Sequence, residues 1–433
     1  MSHCALRRSA VLISALLAAL VAPAAADIIH VPGDAATIQG GIALAQPGDS
    51  VVVAAGVYPE HVQLASNVSV IGQDPLTTVV DGGGVAIDVV RAISVTEVLF
   101  KGFTVTGAIS GGGLPGGAGV FVNFPSASVI IEEVIATGND FGIAVFNSFN
   151  RSGPGITGCD VHDNNFFGVA DPGNGLLSRS VIYRNLHGIN QAGNSSRPQI
   201  IGNTIWGNFA DGFNYWNDFP PTLRNNIFAA NGGYGIHERA PGTFVDPIVE
   251  FNLFWDNGAG NYFDVQTQTV RNTAAEINDL PNASDNLVDD PLLCNPPTDF
   301  HLCADSPAVG AGQGGATIGA FEVGCGACGT TSIAPVEAPA VGLHLTSRPN
   351  PVSVSTVIAF ELEEPGHAIL RIWDASGRAI RKLVDSEIRP GPFRVEWDGR
   401  TESGVRAPAG IYLLDLRVDG IQVRSKVTLL SGR

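Results

Sequence analysis

Five segments of this 433-residue chain repeat one another: CDVHDNNFFGV from Cys159, SVIYRNLHGI from Ser180, NTIWGNFADGF from Asn203, NNIFAANGGYGI from Asn225 and NLFWDNGAGNYF from Asn252. Asparagine recurs at Asn164, Asn185, Asn208, Asn231 and Asn257, at intervals of 21, 23, 23 and 26 residues. Each is followed three or four positions later by Gly168, Gly188, Gly212, Gly235 or Gly260. Self-similarity at such a period means stacked units that share a core. A unit this short has no room for a helix pair, and its Val, Ile, Phe, Asn and Gly content reads as one coil of short strands joined by turns. Composition agrees, since 53 glycines with 15% charged residues and a single methionine do not fit an ordinary helical enzyme.

Strand alternation assigns directions within the coil. The third position before each turn asparagine is Val161, Ile182, Ile205, Phe228 or Phe254, an apolar inward column. The fifth position before it, also inward, reads Cys159, Ser180, Asn203, Asn226, Asn252. Buried asparagines stacked about 4.8 Å apart satisfy one another in a hydrogen-bonded ladder. The second position before it reads His162, Tyr183, Trp206, Ala229, Trp255, and is expected to point outward as an aromatic stripe. The turn asparagines and glycines are expected to supply the positive φ that sharp corners need.

The N-terminus reads MSHCALRRSAVLISALLAALVAPAAAD, a basic pair and an apolar run ahead of small residues, as in a secretory signal spanning 1–26 and cleaved near Ala26. That run is too short to span a bilayer and no later one is long enough, so no transmembrane segment is expected. Residues 27–342 carry 9 Lys+Arg against 30 Asp+Glu, or −21, whereas 343–433 carry 13 against 11, or +2. This break implies a β-solenoid domain over 27–324, a Gly/Ala/Pro/Thr-rich linker over 325–342 and a second domain over 343–433. The solenoid has one lysine, Lys101, and no basic stripe, which excludes nucleic acid as an expected partner. Of the cysteines beyond the signal, Cys294, Cys303, Cys325 and Cys328 are expected to form two disulfides, with three pairings open. The short loop CNPPTDFHLC points to Cys294 with Cys303. CGAC at 325–328 also has the spacing of a redox or metal motif, but without a βαβ context or a second ligand pair it is read as a structural staple.

Residues from about 50 to 322 resemble a right-handed parallel β-helix of the pectin-lyase-like superfamily. The resemblance rests on the repeat, on ATIQGGIALAQPGDSVVVAAGVYPEHV with NVSVIGQDPLTTVVDGGG near the start, and on DPLLCNPPTDFHLCADSPAVGAG with IGAFEVG near the end. It implies an amphipathic helix over Ile38–Ala45 closing one end of the stack, and a closing segment at the other. Residues 348–430, through RPNPVSVSTVIAFEL, IWDASGR, WDGRTESGVRAPAGIYLL and KVTLL, resemble immunoglobulin-like C-terminal modules of secreted bacterial proteins, related to the flagellar hook-capping Ig-like domain and to type IX secretion sorting domains. The fold class expected is therefore all-β, a right-handed parallel β-helix followed by a small Ig-like β-sandwich. The superfamily's polygalacturonase set of Asn-Thr-Asp, paired Asp and Gly-His-Gly motifs is missing, as are the later motifs that carry the catalytic aspartates of pectin methylesterases.

A groove along such a stack takes its ligands from equivalent positions of successive coils. After each turn glycine comes an inward apolar residue, Ile143, Val169, Ile189, Phe213 or Ile236, and then polar ones: Asp171, Asn190, Asn214 with Tyr215 and Trp216, and His237 with Glu238 and Arg239. These are the candidate substrate-binding residues. His237, Glu238 and Arg239 are the catalytic candidates, offering an acid, a base and a carboxylate clamp, although a polar corner produces such a trio without any chemistry. Asp171 and Glu238 lie three coils, about 14 Å, apart, too far for the ~5–9.5 Å pair of a glycosidase. Asp160, Asp163, Asp171, Asp289 and Asp290 show no oxygen-ligand spacing, so neither metal nor cofactor is expected. The expected function is an exported protein that binds polysaccharide or acts at the bacterial surface, with secretion machinery as a further partner of the C-terminal domain. The alternatives are a polysaccharide lyase or glycoside hydrolase using the 214–239 face, and an architectural surface protein that binds no saccharide.

Overall fold

The structure is a computed structural model. It describes residues 26–110, 116–123, 126–146, 152–192, 196–216, 219–239 and 246–328, and then 345–348, 352, 355–362, 365–374, 378–389, 391–402, 404–418 and 421–429. The expected signal segment up to residue 25 and most of the expected linker lie outside these.

Three long sheets run the length of a right-handed β-helix, and each coil contributes one strand to each. Sheet A has 11 strands, from Ile28–Val31 to Ala283–Ser284; sheet B has 10, from Gly56–Tyr58 to Leu287–Val288; sheet C has 10, from Val62–Gln63 to Gly260–Asp264 and then Thr269–Arg271. All pairings are parallel except that of Thr269–Arg271 with Gly260–Asp264. The apolar columns meet at the axis: Val161, Ile182, Ile205, Phe228 and Phe254 are fully buried, as are Ile143, Val169, Ile189, Phe213 and Ile236.

Both asparagine columns are ladders. Asn203 Nδ2 donates to Asn226 Oδ1 at 3.0 Å, Asn226 to Asn252 at 3.0 Å and Asn252 to Asn286 at 3.1 Å, and Asn278 caps the row. The turn asparagines form a second ladder, Asn139 to Asn164, Asn185, Asn208, Asn231 and Asn257, with links of 2.9–3.3 Å. They do not themselves adopt positive φ. That conformation falls one residue earlier, at Asp163, Arg184, Gly207, Ala230 and Asp256, and at the other corner at Arg179, Gly202, Asn225 and Phe251. The turn glycines do a different job from the one expected. A Cβ on Gly168 would lie 2.7 Å from Asn185 Nδ2 and one on Gly188 2.5 Å from Gly212 O. Glycine therefore makes room for the ladder, and the Asn and Gly columns are two halves of one device. Gly260 falls outside that column and does adopt the expected positive φ, 134°; Asn261 takes the position and accepts from Asn257 at 3.0 Å.

At the start, the helix Ile38–Leu44 buries Ile38 and Ile42 against the first strands, with Thr37 as its N-cap. The far end is closed by Thr269–Arg271 and by the helix Ala274–Asn278, which carries a capping box from Thr273 and Glu276. The segment expected to close that end instead folds back along the flank of the stack. Its strands Leu293–Asn295, Asp299–Cys303 and Val323–Cys325 form a small sheet. Its Leu302, Ala308 and Ile318 bury against Ile227, Ala229 and Leu253 of sheet B. The disulfides are Cys294–Cys325 and Cys303–Cys328, not Cys294–Cys303, because the sheet brings residues from separate strands to one end.

The C-terminal part is a sandwich of two antiparallel sheets, Thr346–Arg348, Thr356–Leu362 and Gly391–Trp397 against Ala379–Ile388, Gly366–Asp374, Gly410–Val418 and Ile421–Leu429. Its core centres on the fully buried Trp397, whose indole N–H donates to Arg400 O at 2.9 Å.

Candidate functional site

Sheet C carries two outward columns on either side of its buried one. The column before the turn glycines reads Phe141, Phe167, His187, Asp211, Tyr234; the column after the buried residue reads Ala144, Ala170, Asn190, Asn214, His237, Phe263. Strand alternation splits the stretches that the sequence had grouped. Asn214 and Trp216 are on the outer side of the wall, Asn214 buried at 2% exposure and Trp216 exposed, but Tyr215 between them is fully buried in the core. His237 and Arg239 lie outside, but Glu238 is 1% exposed and accepts from the Tyr262 hydroxyl and from Val265 N–H. Burial pushes Glu238 up to about 7, against those hydrogen bonds. Tyr215 and Glu238 are thus core residues, and the trio His237, Glu238 and Arg239 does not converge.

Asp171 sits at a coil corner with φ of 51°, accepts from Ser196 Oγ at 3.2 Å, and is pushed up to about 6 by burial. Asn190 is buried on the outer column one coil before Asn214. Neither bonds to the His237 group.

What does converge is built around Asp211. Its Oδ2 accepts from His237 Nδ1 at 3.0 Å and from the Arg239 guanidinium, while Oδ1 accepts from Tyr234 N–H at 2.9 Å. Burial pulls its pKa up, but these bonds more than offset that and hold the carboxyl below its ordinary value. Arg239 Nε also donates to Asn214 Oδ1 at 2.9 Å, which fixes that amide with its Nδ2 toward His187 Nδ1, 2.9 Å away. His187 Nδ1 accepts a second bond from Asp211 N–H at 3.2 Å.

These contacts set the two tautomers oppositely. His187 accepts at Nδ1, so its proton is on Nε2, and burial, opposed by Asp211, lowers its pKa and keeps the ring neutral. His237 donates an Nδ1–H hydrogen bond to a carboxylate that only accepts, so its neutral form carries a lone pair on Nε2. The face thus presents one imidazole as donor and another as acceptor. Side-chain exposures of 18% for His187, 17% for His237 and 28% for Arg239 leave both rings and the guanidinium within reach of solvent. Trp216, 48% exposed, stands beside them with the Arg239 guanidinium 5.6 Å over its ring. Asp211 and His187 escape a reading of the sequence because both lie just before a turn glycine, at a corner where alternation breaks: the glycine and the apolar residue after it both face inward, so parity would have placed Asp211 and His187 inside.

Much of the aromatic stripe of sheet B is covered by the chain itself. Tyr183 and Ala229 are buried, and Phe300 packs 5.0 Å from Tyr183 and 5.7 Å from Trp206, between ring centroids. His162 stacks on Tyr183, and only Trp255 of the stripe is exposed.

Residues 83–274 match the model of the right handed beta helix region, and 353–419 match that of the FlgD Ig-like domain. The chain is thus a right-handed parallel β-helix protein. More particularly, it joins that helix to a FlgD Ig-like domain. Among solved structures it is similar to PorU from Porphyromonas gingivalis at 22% identity, covering 20% of this chain and 9% of that one with a TM-score of 0.18. It is similar to the gene product 12 N-terminal fragment of bacteriophage Phi29 at 14% identity, covering 59% and 50% with a TM-score of 0.38. It is also similar to the tailspike gp49 of Acinetobacter baumannii bacteriophage Fri1, a capsular polysaccharide depolymerase, at 11% identity, covering 88% and 73% with a TM-score of 0.33. The chain thus spans about a tenth of PorU and half of the gene product 12 fragment. No curated protein matches it. No helix among the described residues is long and apolar enough to cross a membrane.

Proposed function

We propose that the protein is exported and binds a polysaccharide along the outer face of sheet C, around Asn190, Asn214, His237, Arg239 and Trp216. The observation that carries this reading is the network held by Asp211, which fixes a guanidinium, an amide and two imidazoles beside an exposed indole. An indole face stacks on a sugar ring, and the fixed donors and acceptors address its hydroxyls or a carboxylate. Rungs about 4.8 Å apart spread these groups over three successive coils, along the direction that an extended ligand would take. The Ig-like module is proposed as the segment read by the secretion machinery, type IX or another, that places the protein outside the cell or on its surface, after cleavage of the signal near Ala26.

A second reading, catalysis on the same polysaccharide, is favoured by one feature. The Asp211–His237 pair orients an imidazole with a basic Nε2, while His187 offers an Nε2 proton, so a base and a donor face the same ligand. The test is a glycan array on residues 27–433 with mass-spectrometric analysis of every ligand for products. Binding lost in Trp216→Ala and Arg239→Ala supports the face; binding indifferent to both defeats it. Products formed by the natural chain and lost in Asp211→Asn, with binding kept, select catalysis. Binding without products selects the first reading.

A further inference from the structure

We propose that Cys294, Cys303, Cys325 and Cys328, once reduced, hold one zinc ion as a tetrathiolate site, so that a single cluster can be closed either by two disulfides or by a metal. CGAC has the two-residue spacing of a zinc knuckle but lacks a partner pair nearby in the sequence. The fold supplies that pair. Leu293–Asn295 and Asp299–Cys303 are antiparallel, Asp299–Cys303 and Val323–Cys325 are parallel, and Cys303 is the register partner of Cys325. Cys294, Cys303 and Cys325 therefore meet at one end of the small sheet, and the turn after it brings in Cys328.

Two disulfides serving as separate staples have no need to touch. Here the sulfur of Cys325 lies 3.6 Å from that of Cys303 and 3.8 Å from that of Cys328, both across pairs that are not bonded to each other. The ligand atoms of Cys294, Cys303 and Cys325 all lie within 4.8 Å of one another. With Zn–S bonds of about 2.3 Å, the edge of a tetrahedral tetrathiolate is about 3.8 Å. The cross-pair contacts already have that length, and the Cα separations of 6.1 and 5.6 Å within the pairs leave room for each bonded pair of sulfurs to part by side-chain rotation. The knuckle is held in place independently of its sulfurs, by Cys328 N–H on Asp305 Oδ1 at 2.8 Å and Ala304 N–H on Gly326 O at 3.2 Å. Cys303 is fully buried and Cys328 exposed, which gives an ion an approach from one side.

The conversion balances with a water-soluble phosphine as reductant. Each disulfide takes two electrons from one phosphine and yields two thiols, and the phosphine takes the oxygen of one water to become its oxide. The four thiols then bind one Zn²⁺ as thiolates, and their four protons pass to solvent. In either form the segment that covers sheet B stays clamped.

The test uses full-length protein reduced anaerobically with that phosphine and titrated with Co²⁺, then Zn²⁺. The expected result is one cobalt per chain with the charge-transfer and d–d bands of a tetrahedral tetrathiolate, displaced by one equivalent of zinc. The bands disappear in Cys303→Ser and Cys328→Ser and persist in Cys159→Ser. Because the serine variants can fail by misfolding, the natural chain is also labelled with maleimide after reduction; zinc should protect the four cysteines from modification. Less than stoichiometric cobalt, bands that survive both substitutions, or labelling of the four that ignores zinc would each overturn the proposal.

Discussion

Sheets B and C are built from the same coils and expose outward columns of the same geometry, yet one face is covered and the other is not. On sheet B, Tyr183, Trp206, Ile227, Ala229 and Leu253 form an apolar surface, and the chain lays residues 293–325 over it. On sheet C, the equivalent columns pass from phenylalanines into His187, Asp211, Asn214 and His237, and no counterpart of that strap lies over them among the described residues. Aromatic content alone therefore does not mark a site on a solenoid. An aromatic row with apolar neighbours is a docking surface for the protein's own chain, whereas polar groups tied to each other and left in reach of water remain available to a ligand.

The contrast is sharpest under substitution. Phe300→Ala removes a ring that packs on Tyr183 and Trp206 and should cost about 3 kcal/mol in urea unfolding while leaving saccharide affinity unchanged. If it instead weakened binding at constant stability, the roles of the two faces would be exchanged.

Glu238, inside the stack beneath the candidate face, adds a pH dependence that distinguishes a core residue from a catalytic one. Its folded pKa of about 7 lies above the ordinary 4.5, so the folded state holds the extra proton between those values. Stability from this group is complete below about pH 4.5 and is lost as pH rises through 7, by up to about 3 kcal/mol. Glutamine can accept from Val265 N–H and donate to the Tyr262 oxygen, so Glu238→Gln should flatten the loss seen in thermal melts between pH 5 and 9. Equal pH slopes for both proteins would contradict this.

Asn203→Leu leaves the partners of a buried amide unpaired and should destabilise by about 1–3 kcal/mol, measured by urea unfolding. A neutral result would mean that the ladder contributes geometry without energy. The smallest change in stability is expected for Trp216→Ala, within about 0.5 kcal/mol, with saccharide binding weakened by about 1 kcal/mol or more in calorimetry. Tyr215→Ala, one residue away but inside, should do the reverse.

The architecture was legible because its signals are periodic. The inward columns and the Asn203–Asn252 ladder follow from counting positions, and no long-range information is needed to place them. The candidate site was legible only in part. Asn214, Trp216, His237 and Arg239 are on the outer side, as expected of them, whereas adjacency in sequence conceals the alternation that turns Tyr215 and Glu238 into the wall. Asp211, the residue that organises the group, was hidden because its partners are 26 and 28 residues away. The cysteine pairing was hidden for a related reason. A short loop is the cheapest to close, but the fold-back of residues 293–325 brings Cys325 and Cys328 into play, and no local pattern announces that path.

The ladders leave the chain free to vary in one place. Rung-to-rung bonds keep the same length although the sequence between rungs runs from 21 residues, Asn164 to Asn185, to 34, Asn252 to Asn286. In the coils from Asp160 onward the corner between sheets A and B takes two residues and the passage from B to C takes 4, 3, 6, 4 and 4, while the passage from sheet C to the next strand of sheet A takes 3, 7, 6, 9 and 18, over 171–173, 192–198, 216–221, 239–247 and 265–282. In these coils most of the variation in length therefore falls along a single edge, and that edge borders the Asp211 face. A lineage of such proteins can rewrite what surrounds this face by insertion and deletion, coil by coil, without renegotiating a single contact of the stack.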